Sequence, residues 1–138
     1  MEIASILLVN VVVAALGFAI VWAIGTKLKD PTIVDAYWGL GMPVLALSTF
    51  LQVEQPTMRN WLLLGISAIW GVRLFGYMIR RWQTQGPDRR YERLYEKAKE
   101  KKGWSFGFFC AVSVCITQMP LQFLVSLPVQ LGQIDAVP

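Results

Sequence analysis

Residues 3–24 form an apolar run broken only by Asn10 and small residues. About twenty apolar residues, at about 1.5 Å each along a helix, cross the hydrocarbon of a bilayer. Such a stretch spans as a helix, because without water every backbone polar group must be satisfied within the segment. A cleaved secretory signal would have a basic start, a shorter core and a small-residue cleavage site, whereas this chain opens on Met1-Glu2 and the run is long. Three further apolar runs follow at about 33–51, 61–79 and 104–127. The expected fold is all-α and polytopic: four transmembrane helices in a single membrane domain over residues 1–138, with a cytoplasmic amphipathic helix between the third and fourth. A content of 55% hydrophobic and 16% charged residues agrees, being too apolar for a soluble domain of this length.

Local signals punctuate the runs. Asp30-Pro31 offers an N-cap oxygen followed by a residue whose missing N–H is harmless in a first helical turn. Gly39, Gly41 and Pro43 permit tight packing or a kink in the second span, and Ser67 with Gly71 gives the third a small-residue face. Gly17 and Gly25 would let a neighbour approach the first span, while Asn10 is expected to face protein rather than lipid. Pro120 interrupts the fourth span and Pro128 follows it.

Residues 80–102 hold nine of the thirteen Lys and Arg. Basic residues beside spans stay on the cytoplasmic side, so both termini are expected outside the cytoplasm, in an inner or plasma membrane. The lipid bilayer is then the partner of the excess positive charge, and no nucleic acid is expected. Within this segment Tyr91, Leu94, Tyr95 and Ala98 recur at helical spacing among charges. A helix lying on the membrane surface and a solvated connector helix both fit that pattern.

With no histidine, imidazole bases, His-ligated metals and Ser-His-Asp catalysis are excluded, and no metal site is expected. Cys110 and Cys115, five apart, would point in different directions on an α-helix and are read as buried thiols. Asp35 lies one turn inside the second span, where the helix N-terminus favours its charge; a second capping carboxylate is the simpler reading of it. Arg73 sits seven residues before Arg80, about 10 Å deeper. A guanidinium at mid-span costs about 3 kcal/mol on insertion scales, which makes an Asp35–Arg73 pair or shared network an expectation. In GPDRRY, residues 86–91, Asp88 can cap the following helix, and Arg80, Arg81, Arg89 and Arg90 form a cluster suited to phosphate. The chain has no Gly-rich Rossmann or P-loop pattern. Gln118 and Gln122 make a polar face on the fourth span, suited to a neighbouring helix or a buried ligand. Trp22, Trp61, Trp82 and Trp104 read as an interfacial belt.

Three motifs in order, Asp35-x-x-Trp38-Gly39, Trp70-Gly71-x-Arg73-Leu74 leading to Arg80-Arg81, and Gly86-x-Asp88-x-Arg90-Tyr91, together resemble the steroid 5-alpha-reductase-like membrane superfamily, in its bacterial branch. The resemblance covers roughly residues 30–130, and residues 123–130, FLVSLPVQ, are similar to the corresponding span there. It implies a helical bundle that binds NADPH from the cytoplasm and reduces an activated carbon–carbon double bond in a lipid-like or steroid-like substrate. By that resemblance Arg73, Arg80, Arg81, Asp88, Arg90 and Tyr91 match positions near the cofactor entrance, and Asp35 an acidic position in the bundle. Catalytic residues are not assigned.

Family members continue for several more spans, which supply much of the cofactor site. The expectation is therefore the amino-terminal half of such a reductase, inactive alone, with NADPH implied for the complete protein and none for this chain by itself. The missing carboxyl-terminal half or another subunit would be its partner. Two other classes share the four-span architecture: a non-catalytic scaffold or assembly subunit, and a small dimeric transporter. The transporter class carries an acidic residue in its first span, where this chain has only the terminal Glu2.

Overall fold

The structure, a computed structural model, describes residues 3–86 and 89–134. All described secondary structure is helical: α1 (Ile3–Leu28), α2 (Ile33–Gln52), α3 (Met58–Gln85), α4 (Arg89–Lys102), a short α5 (Phe106–Phe109), a π-helical stretch (Cys110–Ile116) and α6 (Thr117–Ile134). Four stretches are long and apolar enough to cross a membrane: α1, α2, α3 and the run Phe106–Ile134. α2 is the most buried of them and α3 the least. α2 packs on α1, α3 and α6, and so forms the axis of the bundle.

The α1–α2 corner is built by its own hydrogen bonds. Lys29 adopts φ 53, and the amides of Lys29 and Asp30 return to the carbonyls of Thr26 (3.2 Å) and Gly25 (2.9 Å). This is a Schellman closure of α1. The Asp30 carboxylate then accepts the Thr32 amide at 3.0 Å and the Thr32 hydroxyl at 2.6 Å, capping the turn that opens α2.

α2 and α3 cross where two glycines face each other. A Cβ on Gly39 would lie 2.7 Å from the Gly71 carbonyl oxygen, and one on Gly71 would strike the Gly39 carbonyl oxygen and the Pro43 ring. The backbones meet there because neither residue has a side chain, the small-residue packing that membrane helices favour. Ser67, one turn before Gly71, is buried on the same face.

α3 runs past the apolar run into Arg80–Gln85, since nothing in that stretch breaks a helix before Gly86, which ends it at φ 76. α4 lies across the same end of the bundle. Its Tyr91 enters the core beside Phe18, Val21, Val34 and Phe109, while Tyr95 and Ala98 pack at the edge. Leu94 stays exposed, although its spacing matches that apolar stripe.

The fourth span departs from a plain helix. Its π-helical turn precedes Pro120, and both Pro120 and Pro128 lie inside α6, which continues to Ile134. The wider turn relaxes the ladder ahead of a proline that has no N–H to give it. In a π-helix the bonded residues are five apart, so Cys110 and Cys115 join one core cluster instead of diverging, as α-helical spacing had implied. Both thiols are free and buried.

Candidate functional site

The two ends of the bundle treat polar residues differently. At the end holding the start of α1 and the close of α6, Asn10 is fully buried, as the sequence implied, and is the hub of an amide and hydroxyl network. Its Nδ2 donates to Thr49 (2.8 Å) and to the Gln130 side chain (2.7 Å). Its Oδ1 accepts from Ser48 (2.6 Å) and Gln52 (3.1 Å). Asn60 donates to the Gln133 carbonyl at 2.9 Å, and the Gln133 side chain donates to the Ala46 carbonyl at 3.0 Å. These bonds tie α1, α2, α3 and α6 together.

At the α4 end the polar groups border clefts. Asp35, on the first turn of α2, accepts the Tyr91 hydroxyl at 2.8 Å, and Arg90 approaches its other oxygen at 3.7 Å. Tyr91 is buried and Arg90 is 65% exposed, so the phenol is the firm partner and the guanidinium an adjustable one. Asp30 accepts the Trp82 indole N–H on its second oxygen at 2.6 Å, binding the end of α3 to the α1–α2 corner.

Between these anchors opens a cavity of about 240 Å³, lined by Thr32, Asp35, Arg81, Trp82, Gln85 and Arg89, among others. A neighbouring recess of about 510 Å³ shares Asp35, Met78 and Arg81 with it and adds Trp38, Leu74 and Arg90. Arg81 lies on the shared wall and donates to the Gln85 side chain at 3.3 Å. Three guanidiniums and the amide of Gln85 therefore border one cleft beside the Asp35 carboxylate. That donor set suits an anion with several oxygens, such as a phosphate group.

The sequence-derived residues divide into those the fold gathers and those it separates. Asp35, Arg81, Arg90 and Tyr91 come together, joined by Arg89. Arg80 is exposed on α3 and lines neither cavity. Asp88 lies outside the described residues. Arg73 does not meet Asp35: it is exposed beside Trp70, Leu74 and Tyr77 along the outer face of α3. Two residues beyond Gly71, it is turned about 200° around the helix from the α2 crossing, so the expected pair cannot form. Gln118 accepts the Trp38 indole N–H at 3.0 Å. Gln122, fully buried, packs on Gly41 and donates to the Tyr37 carbonyl at 3.5 Å. Both glutamines serve α2–α6 contact within the bundle.

Trp82 was readable only as a boundary tryptophan; its acceptor lies on another helix. Trp22 is similar, donating to the Gly107 carbonyl at 2.9 Å. A stronger signal was the order of the motifs. Asp35 of the first is held by Arg90 and Tyr91 of the third, and Gly39 of the first meets Gly71 of the second.

Four apolar spanning stretches around buried amide networks, with an arginine-bordered cleft at one end, define a multi-pass helical membrane protein. Residues 21–137 match the model of the family described as "Protein of unknown function (DUF1295)", and the chain belongs to that family. No curated protein and no solved structure matches it.

Proposed function

We propose that this chain is the cofactor-facing membrane domain of an NADPH-dependent reductase acting on an activated double bond in a lipid-like substrate. The observation carrying this reading is the cleft at the α4 end, where Arg81 and Arg89 border a cavity beside Asp35, itself held by Arg90 and Tyr91. Family membership and the convergence of the three motifs on that cleft support it.

At about 240 Å³ the cavity is below the roughly 300–1,000 Å³ of a typical small-molecule pocket, which matches a phosphate-bearing part of a dinucleotide rather than the whole. Arg81, Arg89 and Arg90 would hold phosphate oxygens, with Gln85 as a further donor. Asp35 fixes where Tyr91 stands and leaves Arg90 adjustable at the rim of the cleft. NADPH, when bound, supplies a hydride. The acceptor and the rest of the cofactor site belong to a further membrane segment, the carboxyl-terminal half or another subunit. The outer face of α3 is where we dock it, because Trp70, Arg73 and Tyr77 are exposed there and a guanidinium in lipid calls for a partner. On this reading the α4 end faces the cytoplasm and both termini lie outside it, as the distribution of Lys and Arg requires.

Equilibrium binding of NADPH to the purified chain, with and without a co-expressed carboxyl-terminal half, tests this reading. Saturable binding with both halves, lost in Arg81→Gln/Arg89→Gln, is expected. Electrogenic transport by this chain alone would overturn it.

A further inference from the structure

A second cavity at the α4 end, of about 500 Å³, is lined by Tyr91, whose hydroxyl bonds Asp35 of the first cleft. It opens where two spans end, since Lys29 follows the last residue of α1 and Phe106 is the first residue of the fourth span. Its mouth is therefore at the membrane boundary. Lys29 and Lys99 line it together with Glu92, Glu96 and Asp30, the last already bonded to Thr32 and Trp82. Among the described residues none of these five has an ion pair within 4.0 Å, although Glu96 and Lys99 are one helical turn apart on α4. Two ammoniums and three carboxylates thus share one cavity with no ion pair among them. The floor is aromatic, with Tyr95 set edge-on to Phe106 at 5.2 Å.

We propose that this cavity binds the zwitterionic headgroup of a phospholipid carrying a primary amine, that is, phosphatidylethanolamine. Charge complementarity selects it. A simple anion would face three carboxylates and a simple cation two lysines, whereas a phosphate and an ammonium joined by two carbons can meet the two lysines and the two glutamates. The glutamates favour N–H donors, which ethanolamine has and a quaternary ammonium lacks. Tyr95 is packed against Phe106 and Phe109. An apolar groove lies deeper along the same spans. Trp22 is seven residues before Lys29 on α1, about 10 Å deeper. With Ala15, Ala19, Ala111 and Ile116 it lines that groove, of about 170 Å³, between α1 and the π-helical stretch.

The test is native mass spectrometry of the detergent-purified full chain, offered equimolar phosphatidylethanolamine, phosphatidylcholine and phosphatidylglycerol with identical acyl chains. The expected result is retention of phosphatidylethanolamine about tenfold over either competitor, the equivalent of one good charge-assisted contact. Glu92→Gln/Glu96→Gln should abolish that preference and raise phosphatidylglycerol retention; Lys29→Gln/Lys99→Gln should lower retention of both. Helicity and unfolding temperature report that each variant is folded. Equal retention of the three lipids by the unsubstituted chain would overturn the proposal, and so would preference for phosphatidylglycerol, the mark of a plain basic patch. A phosphatidylethanolamine preference that survives in folded Glu92→Gln/Glu96→Gln would overturn it as well.

Discussion

The Asn10 network and the Asp35 cleft are both polar clusters in an apolar bundle, yet they are built on opposite principles. Around Asn10 neutral amides and hydroxyls are buried, and their hydrogen bonds join helices to one another or close within a single helix. Around Asp35 the groups are charged, and only Tyr91 is sunk in the core, while Arg81, Arg89 and Arg90 remain exposed at the rim. A neutral network can be enclosed at modest cost. Charges left at a rim keep their hydration and stay available to a ligand. The comparison separates polarity that holds the bundle together from polarity that faces outward.

The packing that supports both ends is the most sensitive to substitution. Gly71→Leu would drive a side chain into the Gly39 carbonyl and Pro43, and is expected to cost about 3 kcal/mol in an unfolding titration in detergent. Asn10→Ala strands partners on α2 and α6. At about 0.6 kcal/mol per interhelical bond in a membrane bundle, the expected loss is about 2 kcal/mol.

Effects at the α4 end should be smaller and more local. Tyr91→Phe keeps the ring in the core and removes one hydrogen bond, for an expected loss of about 1 kcal/mol, with faster amide exchange over the first turns of α4. A set of double-mutant cycles on Asp35→Asn should then rank its partners. Coupling to Tyr91→Phe is expected to be largest. Coupling to Arg90→Gln should be below about 0.5 kcal/mol, given 3.7 Å and an exposed guanidinium. Coupling to Arg73→Gln should be absent. A measurable Asp35–Arg73 coupling would mean that α3 is rotated from the position described above.

The spans were readable because each is an apolar run of bilayer length, a signal that needs no tertiary information. Asn10 was readable for the same reason, as an amide too costly to leave in lipid. Arg73 shows where such reasoning stops: its depth followed from counting residues, but its direction depended on the Gly39–Gly71 crossing, which only the packed pair of helices reveals. Gln130 and Gln133 were missed because Pro128 reads as a helix stop, whereas α6 continues through it to Ile134. In a membrane, neighbouring helices can supply the bonds a proline withholds. The π-helical turn had no local signature beyond Pro120. At the Asp35 cleft the acid, the arginines and Tyr91 were all singled out, but the bond from Tyr91 to Asp35 joins residues 56 apart in the chain and belongs to the fold.

The contrast between the two ends is tested most directly by measuring NADPH affinity and unfolding free energy on the same preparations, each co-expressed with a carboxyl-terminal half. The account predicts that Arg81→Gln/Arg89→Gln lowers affinity at least tenfold, as loss of charge-assisted contacts should, and leaves unfolding unchanged, while Asn10→Ala lowers stability and leaves affinity unchanged. Affinity that follows stability across both variants, or that survives neutralisation of the arginines, would contradict it.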